Sequence, residues 1–381
     1  MACRVTALIL AAGLSSRMKR FKPLLPLGGM TALERIVRTY REAGVENVRV
    51  VVGHRHEDLE PALARLGARS VLNPDYREGM FSSVVAGIAT LGRETDAFFV
   101  HPVDLPLVRT ATIIRLVRAY RHSRADLIYP TFLDRRGHPP LISGRHAQAI
   151  AGWRGEGGLR NSLDRWEPTA QDVPVIDEMV LRDMDTPDVY HILAERAERL
   201  NIPTPDECRA LLMLYEVQEE VIRHCSEVAR VAVEMGEQLN RAGCRLDLPL
   251  LTAAGLLHDL ARHEPDHAMS GARILRSHGF PSTASLVASH MDLIVNESRP
   301  VREAGILYLA DKLVCGDRRV SLQERFGPAL ERHAESPEII EKVRGRLRAA
   351  RIILQRMERV LGHPLADSWP GGLPEPLDHA G

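Results

Sequence analysis

The sequence predicts an α/β domain with a mostly parallel sheet, followed by a second domain made only of helices. The chain has 381 residues, which is more than a single compact domain usually holds. Up to about residue 190, short apolar runs alternate with stretches of helical periodicity, the pattern of strands that helices cover on both faces. Beyond residue 204 only helical periodicity continues, and this change of pattern marks a domain boundary.

The first domain, residues 1–195, contains four predicted strands and three predicted helices. Apolar runs at residues 5–10, 48–52, 97–103 and 126–129 predict the strands. Residues 32–43, 82–91 and 111–120 predict the helices, and Gly44 ends the first of them.

The second domain, residues 204–361, begins after an expected join at residues 194–203. Thr204-Pro205-Asp206-Glu207 is a capping box with Pro at the first helical position. Helices are predicted at residues 249–260, 267–278, 303–315 and 337–361. Residues 362–381 are rich in Pro and Gly, so we expect a flexible tail.

Composition excludes several classes of function. The formal net charge is zero, so no general nucleic-acid or membrane surface is indicated. The apolar run at residues 5–12 is too short to span a bilayer and is interpreted as a buried strand. The five cysteines include no CxxC pair, which favours free thiols in the reducing cytoplasm. Only four of the 50 basic residues are Lys (Lys19, Lys22, Lys312 and Lys342), and an ammonium differs physically from the guanidinium used elsewhere.

The first motif with chemical meaning follows the first strand. Leu10-Ala11-Ala12-Gly13 leads through a turn of small residues into Ser15-Ser16-Arg17, and Lys22 comes next. Small residues let backbone N–H groups approach a triphosphate closely, and the Ser hydroxyls can donate to it. Arg17 and Lys22 can neutralise charge on a departing pyrophosphate. The alternative is an ordinary strand-to-helix turn with exposed cations.

Together with four later segments in matching order, this motif makes residues 4–192 resemble the molybdenum-cofactor nucleotidyltransferases, especially the molybdopterin cytidylyltransferase branch. The resemblance implies a Rossmann-like α/β fold of the glycosyltransferase-A type. The four later segments are Asn73-Pro74 with Glu78-Gly79-Met80-Phe81-Ser82-Ser83-Val84, Val103-Asp104-Leu105-Pro106, Arg136-Gly137-His138-Pro139 and Asp183-Met184-Asp185-Thr186-Pro187-Asp188.

The resemblance also implies which residues act on the nucleotide. Arg17, Lys22 and Asp104 are the implied catalytic residues, and Asp104 and Asp185 are the candidate Mg²⁺ ligands, since Mg²⁺ prefers oxygen. Asp104 could instead cap a strand end, and Asp185 could belong to a helix start. Family members with Ala at position 12 tend to use CTP and those with Gly tend to use GTP, so Ala12 favours CTP. The implied nucleotide-binding residues are Leu10, Ala11, Ala12, Gly13, Ser15, Ser16, Arg17, Lys22, Ser82 and Asp104.

The acceptor is less well defined than the nucleotide. Lys19 stands where the family commonly has Gly, and Gly155-Glu156-Gly157-Gly158 replaces a Gly-Asp pair. The resemblance implies a phosphorylated acceptor such as molybdopterin, and a molybdoenzyme or its maturation factors as partners. A sugar phosphate or phospho-alcohol acceptor is the alternative.

The second half carries His and Asp in an order typical of a metal site. His224, then His258-Asp259, then Asp311 lie in separate predicted helices with apolar neighbours. A His-Asp pair buried unpaired in an apolar helix is unfavourable, and a metal ion relieves that penalty. Imidazole and carboxylate together suit Mn, Fe, Zn, Ni or Mg. Over residues 205–330 this order resembles the HD phosphohydrolase superfamily, which implies hydrolysis of a phosphate mono- or diester with Mn²⁺ or Fe²⁺.

Several details of the second domain stay open. His267 and His290 match positions that supply a second ion in some HD subgroups, so one ion or two could bind. His263, His278 and His333 are expected to face solvent. Lys312 is expected either to contact a substrate phosphate or to lie at the surface. The domain could hydrolyse a compound related to the substrates of the first domain, making the chain bifunctional, or could sense nucleotides without turnover.

Overall fold

The structure is a computed structural model that describes residues 3–295 and 300–365. It divides into two compact units, Met1–Leu200 and Asn201–Gly381. The boundary falls inside the predicted join, although the last helix of the first unit extends to Ala197. Throughout the described ranges, no helix has both the length and the apolar character that crossing a bilayer requires.

The first unit is built on an eight-stranded mixed sheet in the order β10-β7-β9-β6-β1-β4-β5, with β8 paired to β7. β2 and β3 form a separate two-stranded ribbon. β1 is buried along its whole length and pairs in parallel with β4 and β6. The strands are β1 (Val5–Leu10), β2 (Pro26–Leu27), β3 (Met30–Thr31), β4 (Asn47–Val52), β5 (Arg69–Leu72), β6 (Ala97–Pro102), β7 (Leu127–Phe132), β8 (Arg135–Arg136), β9 (Leu141–Ser143) and β10 (Gln171–Pro174).

Seven α-helices accompany this sheet in the described part of the first unit. The first begins with a capping box between Thr31 and Glu34, and Gly44 follows its end with a φ of +77°. The helices are α1 (Ala32–Glu42), α2 (Glu60–Leu66), α3 (Met80–Ile88), α4 (Thr110–Ser123), α5 (Ala147–Ala151), α6 (Gly158–Leu163) and α7 (Pro187–Ala197). Because β1 and β6 are parallel neighbours, the segments after their carboxyl ends lie side by side at one edge of the sheet.

The predicted α/β class is confirmed, but the sheet is less regular than the sequence indicates. β9 runs antiparallel to both β6 and β7, so two of the main-path pairings are not parallel. β9 has three residues, which is too short to produce a recognisable hydrophobic period. The predicted strand at residues 126–129 continues as far as Phe132.

The second unit is mainly helical, as predicted. One apolar core of this unit contains residues of α9, α10, α13 and α15. The prediction that only helices occur here is wrong, because β11 (Val314–Cys315) pairs with β12 (Arg318–Arg319) around a turn at Gly316, whose φ is +61°. The helices are α8 (Pro205–Leu214), α9 (Glu219–Arg241), α10 (Leu248–Leu257), α11 (His267–Ser277), α12 (Pro281–Ser289), α13 (Glu303–Lys312), α14 (Leu322–Arg332) and α15 (Pro337–Leu361).

Both ends of the second unit can be compared with the sequence. The capping box at Thr204 is present, with Glu207 at its third position, and α15 has the predicted bounds. The sequence predicts a flexible tail from residue 362. Leu365 is instead buried, and its backbone N–H donates to Glu358 Oε1 at 3.1 Å. Residues 366–381 lie outside the described residues.

Candidate active sites

The small-residue turn after β1 folds back on itself. The Ala11 N–H donates to the carbonyl of Val51 at 2.8 Å, which holds the start of the turn against β4. Ser15 has a φ of +55°, and its hydroxyl accepts from the backbone N–H of Lys22 at 3.3 Å. The turn therefore places Lys22 against Ser15, and the chain does not continue directly into a helix.

A cavity of about 310 Å³ opens beside this turn. Its lining includes every implied nucleotide-binding residue except Arg17 and Ser82. The Ser82 hydroxyl instead accepts from the Asn73 side-chain amide at 2.9 Å, and the neighbouring Ser83 lines the cavity. The lining residues are Leu10, Ala11, Ala12, Gly13, Leu14, Ser15, Ser16, Lys22, Pro23, Tyr76, Arg77, Gly79, Met80, Ser83, Pro102, Val103 and Asp104.

Tyr76 and Arg77 also line this cavity, although no motif in the sequence singles them out. Gly53, which directly follows β4, is a signal in the sequence for the position of Tyr76. A Cβ at Gly53 would be 2.7 Å from the Tyr76 Cβ, so glycine is needed for the tyrosine to pack there. For Arg77 no comparable signal exists in the sequence.

Lys22 lies between two carboxylates at the edge of the cavity. Its side chain is buried, and Nζ is 2.7 Å from Asp185 Oδ1 and 3.4 Å from Asp104 Oδ2. Arg17 is exposed and places Nη1 2.8 Å from Asp185 Oδ2. The two carboxylates are held together by the backbone, because the N–H of Met184 donates to the carbonyl of Asp104 at 2.7 Å.

The two carboxylates differ in how well they are neutralised. Burial raises the pKa of Asp104, and the nearby Lys22 only partly opposes that rise. Burial also acts on Asp185, but Lys22 and Arg17 outweigh it and lower the pKa of that carboxyl. Asp104 therefore lacks a full counter-charge, which a divalent cation bound with a triphosphate can supply.

The alternative structural roles for the two carboxylates fit less well. α7 is capped by Thr186, whose hydroxyl accepts from the N–H of Val189, with Pro187 at the first helical position. Asp185 precedes this cap and points its carboxylate to Lys22. Asp104 likewise directs an oxygen to Lys22. Asp104 lines the cavity, and Asp185 reaches it through their shared partner Lys22, so the two carboxylates offer the oxygen ligands that Mg²⁺ prefers.

A buried histidine that sequence reasoning missed supports the segment carrying Asp104. His101 Nε2 lies 2.9 Å from the carbonyl of Leu105, and His101 Nδ1 lies 2.9 Å from the hydroxyl of Tyr40. Burial lowers the pKa of His101 to about 4, so the ring is neutral near pH 7. A carbonyl can only accept, so Nε2 carries the proton and the Tyr40 hydroxyl donates to Nδ1. Both ring nitrogens are therefore used to fix the turn around Asp104.

On the expected acceptor side, Arg136 is already engaged by protein groups. It forms ion pairs with Glu167 and Asp172, and its guanidinium lies 4.7 Å from the Tyr129 ring centroid. A Cβ at Gly137 would be 2.5 Å from the carbonyl oxygen of Val180, so this backbone is closely packed. Within the Arg-Gly-His sequence, His138 is the residue influenced by the first site: burial lowers the pKa of its imidazole, and the charges of Asp104 and Asp183 oppose that lowering.

In the second unit, four histidines converge around two carboxylates. Asp259 Oδ2 lies 3.9 Å from His224 Nε2 and 3.6 Å from His258 Nε2. The other oxygen of Asp259, Oδ1, lies 3.4 Å from His267 Nε2 and 3.7 Å from His290 Nε2. Asp311 Oδ1 lies 3.3 Å from His224 Nε2 and 3.8 Å from His258 Nε2. All predicted metal-site residues of this unit are therefore brought together.

The imidazoles are oriented so that one nitrogen of each faces the centre. Backbone carbonyls of Gly316, Gly255 and Val287 lie 2.7–2.8 Å from Nδ1 of three of the rings. Because carbonyls only accept, Nδ1 carries the proton and the Nε2 lone pair is left for a metal. The three rings held in this way are those of His224, His258 and His290.

Five buried atoms at the centre of the cluster have no hydrogen-bond partner among the described residues. They are Asp259 Oδ1 and the Nε2 atoms of His224, His258, His267 and His290. Burying so many polar atoms without partners is unfavourable. Within this cluster, two sets of three ligand atoms each lie within 4.8 Å of one another, and Asp259 belongs to both. The donor set fits divalent metal ions.

Metal binding requires neutral imidazoles and ionised carboxylates, and every shifted group of the cluster except His224 is displaced toward that form. Burial lowers the pKa of His258 to about 4 and lowers that of His267. Burial opposes ionisation of Asp311, yet Lys312 and His224 hold its pKa well below the usual range. The pKa of His224 is raised, because Asp311 outweighs the effect of burial.

Three expectations for the second unit need correction. The His258-Asp259 pair does not lie inside a helix, because α10 ends at Leu257 and the chain turns there. His278 does not face solvent: it is buried, with Nε2 3.1 Å from the hydroxyl of Tyr215. Lys312 is buried beside Asp311 rather than lying at the surface.

Comparison with known proteins gives two family matches and several relatives. Residues 7–175 match the MobA-like NTP transferase domain, and residues 221–314 match the HD domain. Nicotine blue oxidoreductase of Paenarthrobacter nicotinovorans is 33% identical over 204 residues, covering 50% of this chain and 96% of that protein. Molybdenum cofactor cytidylyltransferase of Escherichia coli K12 is 28% identical over 193 residues, covering 50% of this chain and 96% of that enzyme. The crystal structure of Rv0371c from Mycobacterium tuberculosis H37Rv is 26% identical, with a TM-score of 0.46, covering 51% of this chain and 99% of that one.

Proposed function

Because the chain belongs to the MobA-like NTP transferases and carries an HD domain, we propose that it transfers CMP from CTP to a phosphorylated acceptor such as molybdopterin and hydrolyses a phosphate ester at its second site. The observation that carries the first activity is the position of Lys22 between Asp104 and Asp185, beside a cavity lined by small residues. The two activities make the chain bifunctional.

In the proposed transfer, an acceptor phosphate oxygen attacks the α-phosphorus of CTP and the bond to pyrophosphate breaks. The amides of the turn at residues 11–16 bind phosphate oxygens, and Lys22 and Arg17 neutralise the departing pyrophosphate. Asp104 and Asp185 would hold Mg²⁺, which when bound supplies further charge neutralisation. These charged groups favour phosphate chemistry over the redox reaction in the name of the nicotine blue relative.

In the second unit, the unpartnered Nε2 atoms around Asp259 support metal-dependent hydrolysis. Asp259 directs one oxygen to each pair of imidazoles, which supports two ions, with Mn²⁺ or Fe²⁺ as candidates. Such ions, when bound, supply Lewis acidity toward water and a phosphoryl oxygen. Asp311 and His224 would complete the first ion's ligands, and His267 and His290 those of the second.

Pyrophosphate release tests the first activity and its acceptor. With CTP, Mg²⁺ and molybdopterin we expect pyrophosphate and a cytidylated pterin in equal amounts, and no release from CTP alone. Release with a sugar phosphate or phospho-alcohol, but not with molybdopterin, would reassign the acceptor while retaining the transferase. No release with any of these acceptors would contradict the proposed transfer.

Ala12 gives a test of base preference. It lines the cavity and is buried, so replacing it by Gly removes a methyl group and leaves more room for a purine. We expect Ala12→Gly to shift the ratio of kcat/KM for CTP over GTP by about tenfold toward GTP, which corresponds to about 1.4 kcal/mol. Steady-state kinetics with both nucleotides measure this ratio. An unchanged ratio would show that the base is read elsewhere.

The proposed setting is the cytoplasm, with a molybdoenzyme or its maturation factors receiving the product. Support for a reducing compartment comes from Cys3, Cys225, Cys244 and Cys315, which are free thiols.

A further inference from the structure

Lys312 occupies a buried position at the end of α13, next to the metal-ligand cluster. Its relative exposure is 5%. Nζ donates to Asp311 Oδ2 and lies 3.4 Å from the backbone carbonyl oxygen of His290. The ring of Tyr308 lies on another side, with its centroid 4.7 Å from Nζ. A carboxylate, a carbonyl and an aromatic face therefore surround the ammonium.

The two oxygen partners of Lys312 belong to different parts of the cluster. Asp311 directs its other oxygen, Oδ1, toward His224 and His258. His290 stands with His267 at the opposite oxygen of Asp259. One ammonium thus connects α13, which carries Asp311 beside His224 and His258 of the first set, to the end of α12, which carries His290 of the second set.

Lys312 also limits how Asp311 can bind. Because Oδ2 is occupied by the ammonium, only Oδ1 is directed to the imidazoles. We propose that Lys312 is a positioning residue that keeps Asp311 a one-oxygen ligand and fixes His290 through its carbonyl, so that both parts of the cluster are formed before metal binds. This inference rests on the metal-binding function proposed above.

The side-chain type supports this role. Arg supplies nearly all basic residues of the chain, yet Lys stands here. A guanidinium is a planar fork that needs more room than an ammonium and presents its donors in one plane. The partners of Lys312 are a carboxylate, a carbonyl and the face of the Tyr308 ring, and a compact ammonium with rotatable donors can serve all three.

A role in positioning and a role in charge alone predict opposite effects. Removing a positive charge near a cation site strengthens metal binding if charge is all that Lys312 contributes. Removing a group that orients metal ligands weakens binding, typically by about 10- to 100-fold. Lys312→Met keeps most of the aliphatic stem but removes the charge and the donors, whereas Lys312→Arg keeps the charge.

The test is calorimetric titration of the full chain with Mn²⁺, with circular dichroism and thermal melting in EDTA as measures of folding. We expect Lys312→Met to bind Mn²⁺ about 10- to 100-fold more weakly than the unsubstituted chain, and Lys312→Arg to be weakened as well. Lys342→Met, at an exposed position of α15, is the matched control and should bind like the unsubstituted chain.

Other outcomes separate this inference from the function on which it rests. Tighter or unchanged binding by Lys312→Met, or full affinity in Lys312→Arg, would overturn the positioning role. Absence of Mn²⁺ and Fe²⁺ binding by the unsubstituted chain would instead overturn the proposed metal site. If Lys312→Met does not fold, Lys312→Gln takes its place, because its uncharged side chain is one bond shorter than that of Lys and is not expected to reach both Asp311 and the His290 carbonyl. We expect it to bind more weakly than the unsubstituted chain, and full affinity would again overturn the positioning role.

Discussion

Replacing Asp259 by Asn is expected to abolish metal binding at both parts of the cluster and to lower phosphate-ester hydrolysis by about a thousandfold or more. Asp259 directs Oδ2 to His224 and His258 and Oδ1 to His267 and His290, so one neutralised side chain removes an anionic ligand from both sets. A thousandfold loss corresponds to about 4 kcal/mol of transition-state stabilisation. Hydrolysis of phosphate mono- and diesters with Mn²⁺, together with metal content, measures the effect.

The substitution also distinguishes turnover from sensing. Asp206→Asn, at an exposed site on α8, is the control and should retain full activity. Pyrophosphate release should be the same in Asp259→Asn, Asp206→Asn and the unsubstituted chain, which shows that the first unit is folded, and circular dichroism checks the helical second unit. Hydrolysis that persists in Asp259→Asn would place the reaction elsewhere. If the unsubstituted chain binds Mn²⁺ but hydrolyses no ester, a regulatory role in nucleotide sensing becomes the better explanation.

The sequence predicts those helices and strands that have long periodic segments or recognisable capping residues at their ends. α15 was predicted with its observed bounds, and the capping box at Thr204 starts α8 as expected. β9 and the β11–β12 hairpin were not predicted, since strands of two or three residues have no measurable period. β9 also pairs with β6, which is distant in sequence, whereas β11 and β12 pair with each other across a short turn.

The residues of the two functional sites show the same difference between local sequence patterns and long-range contacts. Ligand residues could be selected because polar side chains interrupt apolar segments, as at His258. The environment of a residue could not be predicted where it depends on a contact between distant elements. Burial of His278 depends on Tyr215, 63 positions earlier, and the role of Lys312 depends on the carbonyl of His290.

Two of the rare lysines share one physical role. Lys22 and Lys312 are both buried, and each places its ammonium against carboxylates that are proposed to bind cations. A buried carboxylate without a counter-charge is unfavourable, and the loss of one partner leaves the other uncompensated. The compact ammonium neutralises such a carboxylate while leaving a second oxygen directed elsewhere, as Asp311 shows. In both sites a buried lysine therefore neutralises a carboxylate beside the proposed cation position, although the two folds differ.

For the first site, this argument predicts the effect of replacing Lys22 by Met. The substitution leaves Asp104 and Asp185 facing each other without the ammonium between them, and it removes a cation proposed to act on pyrophosphate. We expect pyrophosphate release to fall by about a hundred- to a thousandfold. Lys19→Met is the matched control, because Lys19 is exposed, and it should stay within about twofold of the unsubstituted chain. A Lys22→Met protein that melts normally and retains full transfer would show that Lys22 only balances charge in the free protein, and the catalytic cation would then have to be Arg17 or Arg77.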